Sequence, residues 1–400
     1  MKLKTFLLGT ALAGLLAGAA EAQVSVKIGV MNDRSGLYAD ISGEGSVVAA
    51  RMAAEDFKAK DKGINVEIIS ADHQNKPDVG SNIARQWYDT DGVDVITDVP
   101  TSSVALAINQ ITKDKNKVFL NSGAASSDLT GAQCSPNTVH WTYDTVMLAN
   151  GTGGAMVKAG GDTWFFLTAD YAFGHALERD TSAVVVKNGG KVLGAVKTPF
   201  PGTDFSSFLL QAQASKAKVI GLANAGGDTI NSIKQASEFG IVEGGQKLAG
   251  LLIFINDIHA LGLKTAQGLI FTDPWYWDQN DTNRAFAREY FAALGRMPGY
   301  TVVGVYSAVI HYLRAVEALG SHADGKAVIA KMKELPTEDR LMGKGYVRID
   351  GRKIHPMYLF EVKKPEESKA PWDYYKLLQT TPAEEAFRPL NEGGCPLVRS

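Results

Sequence analysis

Short runs of β-branched and aliphatic residues alternate with helical apolar patterns along this chain, and the alternation pauses once near residue 140 before starting again. A strand that is apolar throughout must be covered on both faces, and intervening helices supply the cover. The alternation therefore predicts stacked βαβ units on a mostly parallel sheet. Residues 24–31, 66–70, 93–98 and 118–121 read as the strands of a first set, with helices over 46–60, 82–88 and 103–109. A second set begins at 163–168 and continues with strands at 192–197, 219–223 and 251–254 and helices over 174–187, 204–213 and 228–239. Two more helices follow, 282–294 and 302–319, then a strand pair, 346–349 with 357–362, and a tail rich in proline and glutamate that reads as irregular. The expectation is an α/β protein of two doubly wound parallel-sheet lobes, in keeping with a length of 400 residues, more than one core ordinarily organises.

The first residues bear on compartment. Lys2 and Lys4, an apolar run over 6–17 and the triplet Ala20-Glu21-Ala22 form the basic, apolar and A-x-A parts of a secretory signal peptide, which predicts cleavage after Ala22 and export to the periplasm. The run is shorter than the roughly 20 residues of a spanning helix, no later stretch reads as one, and no cysteine follows the cleavage site to carry a lipid. The formal charge of −2 offers no basic footprint for nucleic acid or an anionic membrane. Cys134 and Cys395 are the only cysteines. In an oxidising compartment they either pair or remain two separate thiols.

Signatures of reaction chemistry are missing. There is no G-x-x-x-x-G-K-[ST] loop, no H-E-x-x-H, no paired C-x-x-C and no G-x-S-x-G elbow, and the seven histidines have no metal-ligand spacing. No enzyme, metal or cofactor is expected. The chain offers instead small-residue loops directly after strands: 33–38 with Tyr38 at its tip, 100–103 with Ser102 and Ser103, and 122–127, which reads Ser-Gly-Ala-Ala-Ser-Ser. Loops of so little bulk let backbone N–H groups approach an anion, and the carboxyl ends of strands are where open α/β sheets bind ligands. The plainer alternative is that each is a βα turn whose serine caps the next helix.

The signal peptide, the Ile28-Gly29-Val30 strand, the Ser35-Gly36 loop, the S-x-x-A-L-A helix start at Ser102, the loop from Asn121 and the later Asp170-Tyr171-Ala172-Phe173-Gly174 occur in a fixed order. In that order, from about Val24 to about Val362, the chain resembles the periplasmic substrate-binding proteins of branched-chain amino acid ABC transporters. The resemblance implies a type I periplasmic binding fold, with two lobes joined by three hinge crossings: 23–141 plus 279–345 as the first lobe, 142–278 plus 346–400 as the second. It implies a monomer that captures a small-molecule carboxylate and delivers it to a membrane permease. The carboxylate-holding roles fall on Ser103, Ala124 and Ser126, with Ser102 beside them. Tyr38, Tyr171 and Phe173 would cover the ligand's apolar part.

One departure concerns specificity. Amino-acid binders of this family place an acidic residue late in the second lobe to meet the ligand ammonium, and the stretch 258–267 has no carboxylate. Asp228, after the loop that begins at Asn224, could substitute, as could Asp257 or Asp273, though each could equally cap a helix or turn. The cluster Trp275-Tyr276-Trp277 could wall a pocket for an aromatic ligand or pack across the joint between lobes. The leading expectation is a capture protein for a hydrophobic or aromatic carboxylate or a hydrophobic amino acid. A periplasmic ligand-sensing receptor is the alternative, and an exported α/β enzyme a more distant one.

Overall fold

A computed structural model of the chain describes residues 24–398, so the expected signal peptide lies outside the described residues. The first sheet holds β1 (Val24–Asn32), β2 (Ile64–Asp72), β3 (Val95–Asp98), β4 (Val118–Asn121) and β5 (Thr138–His140), parallel throughout, in the order β2-β1-β3-β4-β5. Every residue of β3 and β4 is buried, as short apolar strands in the middle of a helix-covered sheet must be. Three helices connect them: α1 (Gly43–Asp56), α2 (Pro77–Asp89) and α3 (Ser102–Asp114). The first ends before residue 60 because Lys58 turns left-handed at φ 56°. Strand β5 falls where the pattern paused, and its three residues are too few to show a period.

The second sheet repeats the plan with β6 (Thr163–Ala169), β7 (Lys191–Thr198), β8 (Val219–Ala223) and β9 (Lys247–Gly250) in the order β7-β6-β8-β9, again parallel. The strand expected at 251–254 lies four residues earlier. Residues Leu251, Leu252, Ile253 and Phe254 are apolar because they are buried as a loop, and an apolar run does not by itself distinguish the two. In both sheets the winding reverses beside the first strand, between β1 and β3 and between β6 and β8. Such a reversal opens a crevice at the carboxyl ends of the flanking strands.

The remaining chain joins the lobes. Strand β10 (Ile270–Asp273) pairs antiparallel with Met357–Val362, which pairs in turn with Tyr375–Thr381. A separate small sheet joins Thr337–Asp339, Gly343–Val347 and Lys353–Ile354. The expected pairing of 346–349 with 357–362 is therefore wrong, and the tail is not irregular, since it supplies a seven-residue strand. The helices Asp281–Leu294 and Tyr300–Leu319 return to pack on α1, and the second also covers β3. It is one stretch, among the described residues, long and apolar enough to span a membrane, contrary to the reading of the sequence, but most of it is buried in the first lobe's core.

The first crossing is clamped from the last. Arg352 donates to the carbonyls of Trp141 at 2.7 Å and Tyr143 at 3.0 Å, and His355 Nε2 bonds that of Thr142 at 2.7 Å. Burial, with Lys353 and Arg352 alongside, holds His355 well below its ordinary pKa, so it makes this bond as a neutral ring. Cys134 and Cys395 are bonded, with Cα atoms 5.5 Å apart. Arg388 also donates to the Ser127 carbonyl at 3.1 Å. The end of the tail thus lies on the first lobe, rather than with the second where 346–400 was expected.

Candidate functional site

The two crevices face each other. Tyr38, carried by the loop after β1, and Tyr171, after β6, meet hydroxyl to hydroxyl at 2.6 Å. Between them is a cavity lined from the first lobe by Tyr38, Ile41, Pro100, Ala125 and Tyr143 and from the second by Tyr171, Phe173, Ala225, Leu252 and Phe254. Aromatic packing continues behind this lining. Phe200 stacks on Tyr171 with centroids 3.9 Å apart, and Tyr300 stacks on Phe254 at 5.0 Å while meeting the edge of Tyr143 at 5.1 Å. Burial raises the Tyr38, Tyr143 and Tyr171 hydroxyls above their ordinary pKa, so all three are neutral donors at physiological pH. No lysine, arginine or histidine lines the cavity.

An anion here would be met by backbone N–H and hydroxyl groups. Helix α3 begins at Ser102, and its N-cap Thr101 makes no side-chain cap, so the first-turn N–H groups carry no capping partner. Ser102 is fully buried, and its hydroxyl accepts the Ser126 N–H at 3.2 Å, which stitches the helix start to the 122–127 loop. Ser103 is only partly buried and does not line the cavity. Ala124 points its polar groups elsewhere: its N–H bonds Asn121 Oδ1 at 3.1 Å, and its carbonyl receives Asn121 at 2.8 Å and contacts His140 Nε2 at 2.8 Å. The alanine at the cavity is Ala125. Ser126 caps a short 3-10 turn, its hydroxyl shared with Asp128, so of the expected loop contacts only its N–H joins the cluster. The structure thus brings Tyr38, Tyr171 and Phe173 together at the cavity; Ser102, Ser103, Ala124 and Ser126 do not line it, and Ser102 is joined to the 122–127 loop through the Ser126 N–H.

In the second lobe, Asn224 spends its amide on the helix that follows, Gly227–Glu238, bonding Ser232 at 3.0 Å and Thr229 at 2.7 Å. The intervening loop turns at Gly226 (φ 56°), where an added Cβ would lie 2.8 Å from the Leu37 carbonyl and 3.0 Å from the Tyr38 ring, so the glycine permits the lobes to touch. Asp228 follows, buried. Its Oδ1 accepts the Gly202 N–H at 3.0 Å, while its Oδ2 has no hydrogen-bond partner among the described residues. Desolvation pushes its pKa up to about 7, and it is near enough to the Tyr38 and Tyr171 hydroxyls to raise both. Asp257 accepts the Phe254 N–H at 3.0 Å and so holds the wall. Asp273 is fully buried near Tyr300 and Tyr375.

Trp275 does not reach this cavity. It lines a separate one of about 440 Å³ with Gln279, Asn283, Arg340 and Met342, and packs edge-on against Phe286. Tyr276 stacks on Tyr375, and Trp277 donates to the Trp372 carbonyl at 2.9 Å. The aromatic triplet is packing at the joint. Reading the sequence missed Tyr143, Leu252 and Phe254, which sit respectively in the pause and in a run taken for a strand.

Residues 25–369 match the model of a family described as periplasmic binding protein. A periplasmic binding protein from Burkholderia mallei is 54% identical, covers 94% of this chain and 99% of its own, and superposes with a TM-score of 0.91. A branched chain amino acid ABC transporter periplasmic ligand-binding protein from Burkholderia xenovorans LB400 is 40% identical over 93% of this chain and 99% of its own, with a TM-score of 0.83. A solute binding protein of an ABC transporter from R. palustris, solved in complex with benzoate, shares the fold at 22% identity, covering 90% of this chain and 97% of its own with a TM-score of 0.80.

Proposed function

This chain belongs to the periplasmic binding proteins, ligand-binding components of ABC-transporter type, and from that premise we propose that it captures a hydrophobic amino acid, aliphatic or aromatic, and passes it to a permease. The observation that carries the reading is the aromatic cavity at the facing switch points, with N–H donors on one side and the half-bonded Asp228 carboxylate beside the other. The ligand carboxylate is assigned to the first turn of α3, the Ser102 hydroxyl and the Ala125 N–H. Tyr38, Phe173, Leu252 and Phe254 take the side chain, and Asp228 the ammonium. Export follows from the signal peptide, with cleavage after Ala22.

Capture requires the lobes to part. In the closed arrangement the cavity measures about 10 Å³, room for about one water at most. A ligand therefore separates the Tyr38 and Tyr171 hydroxyls, and the lobes close again on it, with affinity set by the closed population. A second reading, an aromatic acid without an amine, is favoured by the density of rings and by the benzoate complex of the R. palustris protein. Thermal-shift screening with L-leucine, L-valine, L-phenylalanine, benzoate and 4-hydroxybenzoate separates the two, because a ligand that binds only the folded state raises its stability. Stabilisation by amino acids supports the leading reading; stabilisation by benzoates alone overturns it in favour of the second.

A further inference from the structure

We propose that Asn75 is a positioning residue that couples the Tyr38 loop to the open end of α3, so that the aromatic wall and the anion anchor of the first lobe are held as one unit. The inference goes beyond the ligand assignment and depends on it only for its effect on affinity.

Asn75 lies outside the cavity, at the turn between β2 and α2. Its Nδ2 donates to Asp33 Oδ2 at 2.6 Å, and its Oδ1 accepts the Thr101 hydroxyl. Asp33 is fully buried and is the hub of the Tyr38 loop. It accepts the N–H groups of Ser35 at 3.3 Å, Gly36 at 2.7 Å and Tyr38 at 2.9 Å. The loop wraps the carboxylate so closely that a Cβ on Gly36 would stand 2.7 Å from Asp33 Oδ2. At the other end of the bridge, Thr101 is the N-cap of α3. Its side chain would ordinarily accept an N–H from the first turn, yet it donates to Asn75 and caps nothing. The diversion leaves the helix end open to an anion while fixing its position.

The backbone is held out of its preferred range to make the bridge. Gln74 (φ 54°) and Asn75 (φ 57°) are consecutive left-handed residues, a conformation that favours glycine and that asparagine tolerates best among the rest. The buried His73 ring secures the turn, its Nδ1 accepting the Asn75 N–H at 3.0 Å. Strain kept next to a binding site by surrounding hydrogen bonds is a mark of pre-organisation.

Asn75→Gly keeps the left-handed turn and removes only the amide bridge. Hydrogen exchange of the ligand-free protein, resolved by mass spectrometry, should then quicken about tenfold in both 34–42 and 101–105 and not in the rest of the first lobe. Thr101→Val, which cuts the bridge at its far end, should loosen 34–42 as well. Exchange that rises in one segment alone, in neither, or evenly across the first lobe together with a fall in Tm, overturns the coupling. No ligand enters this measurement, so a failed ligand screen and a failed coupling are told apart.

Discussion

At the carboxyl ends of β1 and β3 the first lobe presents uncapped N–H groups, the Ser102 hydroxyl and small side chains, tied together by Asp33, Asn75 and Ser126. At those of β6 and β8 the second presents Tyr171, Phe173 and a buried carboxylate with one unpaired oxygen. The same strand reversal thus carries rings on both sides, Tyr38 and Tyr143 facing Tyr171 and Phe173, but a half-bonded carboxylate only on the second. Backbone donors recognise any carboxylate and are positioned by a hydrogen-bond network, whereas rings and a lone acid recognise what is attached to it. On the proposed assignment the anchor lies on the first lobe and the ammonium partner on the second, with rings from both around the side chain, so substitutions on the two sides should fail in different ways.

Asp228→Asn is expected to have the largest effect, and only on ligands that carry an amine. Removing one partner of a buried charge pair costs roughly 2–5 kcal/mol, so calorimetry should show at least a thirtyfold loss for an amino acid and little change for benzoate. The pH dependence follows from the same group. Its folded pKa of about 7 lies above its ordinary value of 3.8, so between those values the folded chain holds a proton that the unfolded chain releases. The stability from this group is present at low pH and is lost as pH rises through 7. Asp228→Asn should therefore melt higher than wild type at pH 8 and alike at pH 4. Wild-type affinity for the amine should fall below pH 7, where the carboxyl is neutral. Equal losses for amino acids and benzoate would abolish the division of labour.

Ser102→Ala should weaken all carboxylate ligands alike, by about 1.5–3 kcal/mol or ten- to hundredfold, while Ser103→Ala leaves them unchanged. If Ser103 proves the sensitive position, the placement of the anchor at the helix start is wrong. Phe173→Ala should instead reorder preference, costing bulky side chains up to about 1.5–3 kcal/mol and alanine little. A uniform loss would make Phe173 part of the anchor.

The contrast between lobes also governs what the sequence disclosed. Strands β4 and β8 fall at the residues expected of them, since turn residues bound their apolar runs. Tyr38 was legible as an aromatic in a small-residue loop at a strand end, and Tyr171 and Phe173 only through the family resemblance; the structure places all three at the cavity. Which of Ser102 and Ser103 is turned inward was not legible, because burial differs between them only once α3 has a start, and the groups bonded there, Asn75 to Thr101 and Ser126 to Ser102, are far off in sequence. Leu252 and Phe254 were hidden because burial between lobes produces the same apolar run as burial within a sheet. Trp275 misled for the complementary reason: aromatics clustered at a joint pack it as readily as they line a pocket.

The smallest effect is expected where the lobes touch outside the cavity. On the helix Ala172–Lys187, which begins beside Phe173, Arg179 reaches Asp128 at 3.0 Å and the Ser127 hydroxyl at 2.8 Å, and Asp180 accepts from Ser127 at 2.6 Å and from Thr145 at 2.5 Å. These groups span the closed joint without lining the cavity, so they favour closure without choosing the ligand. Arg179 is half exposed, and an ion pair so placed contributes about 0–1 kcal/mol. Arg179→Ala should accordingly weaken every ligand by no more than about fivefold, with the difference shrinking in high salt. A change in the rank order of ligands would place Arg179 among the selecting groups, and the second lobe's chemistry would then extend beyond its crevice.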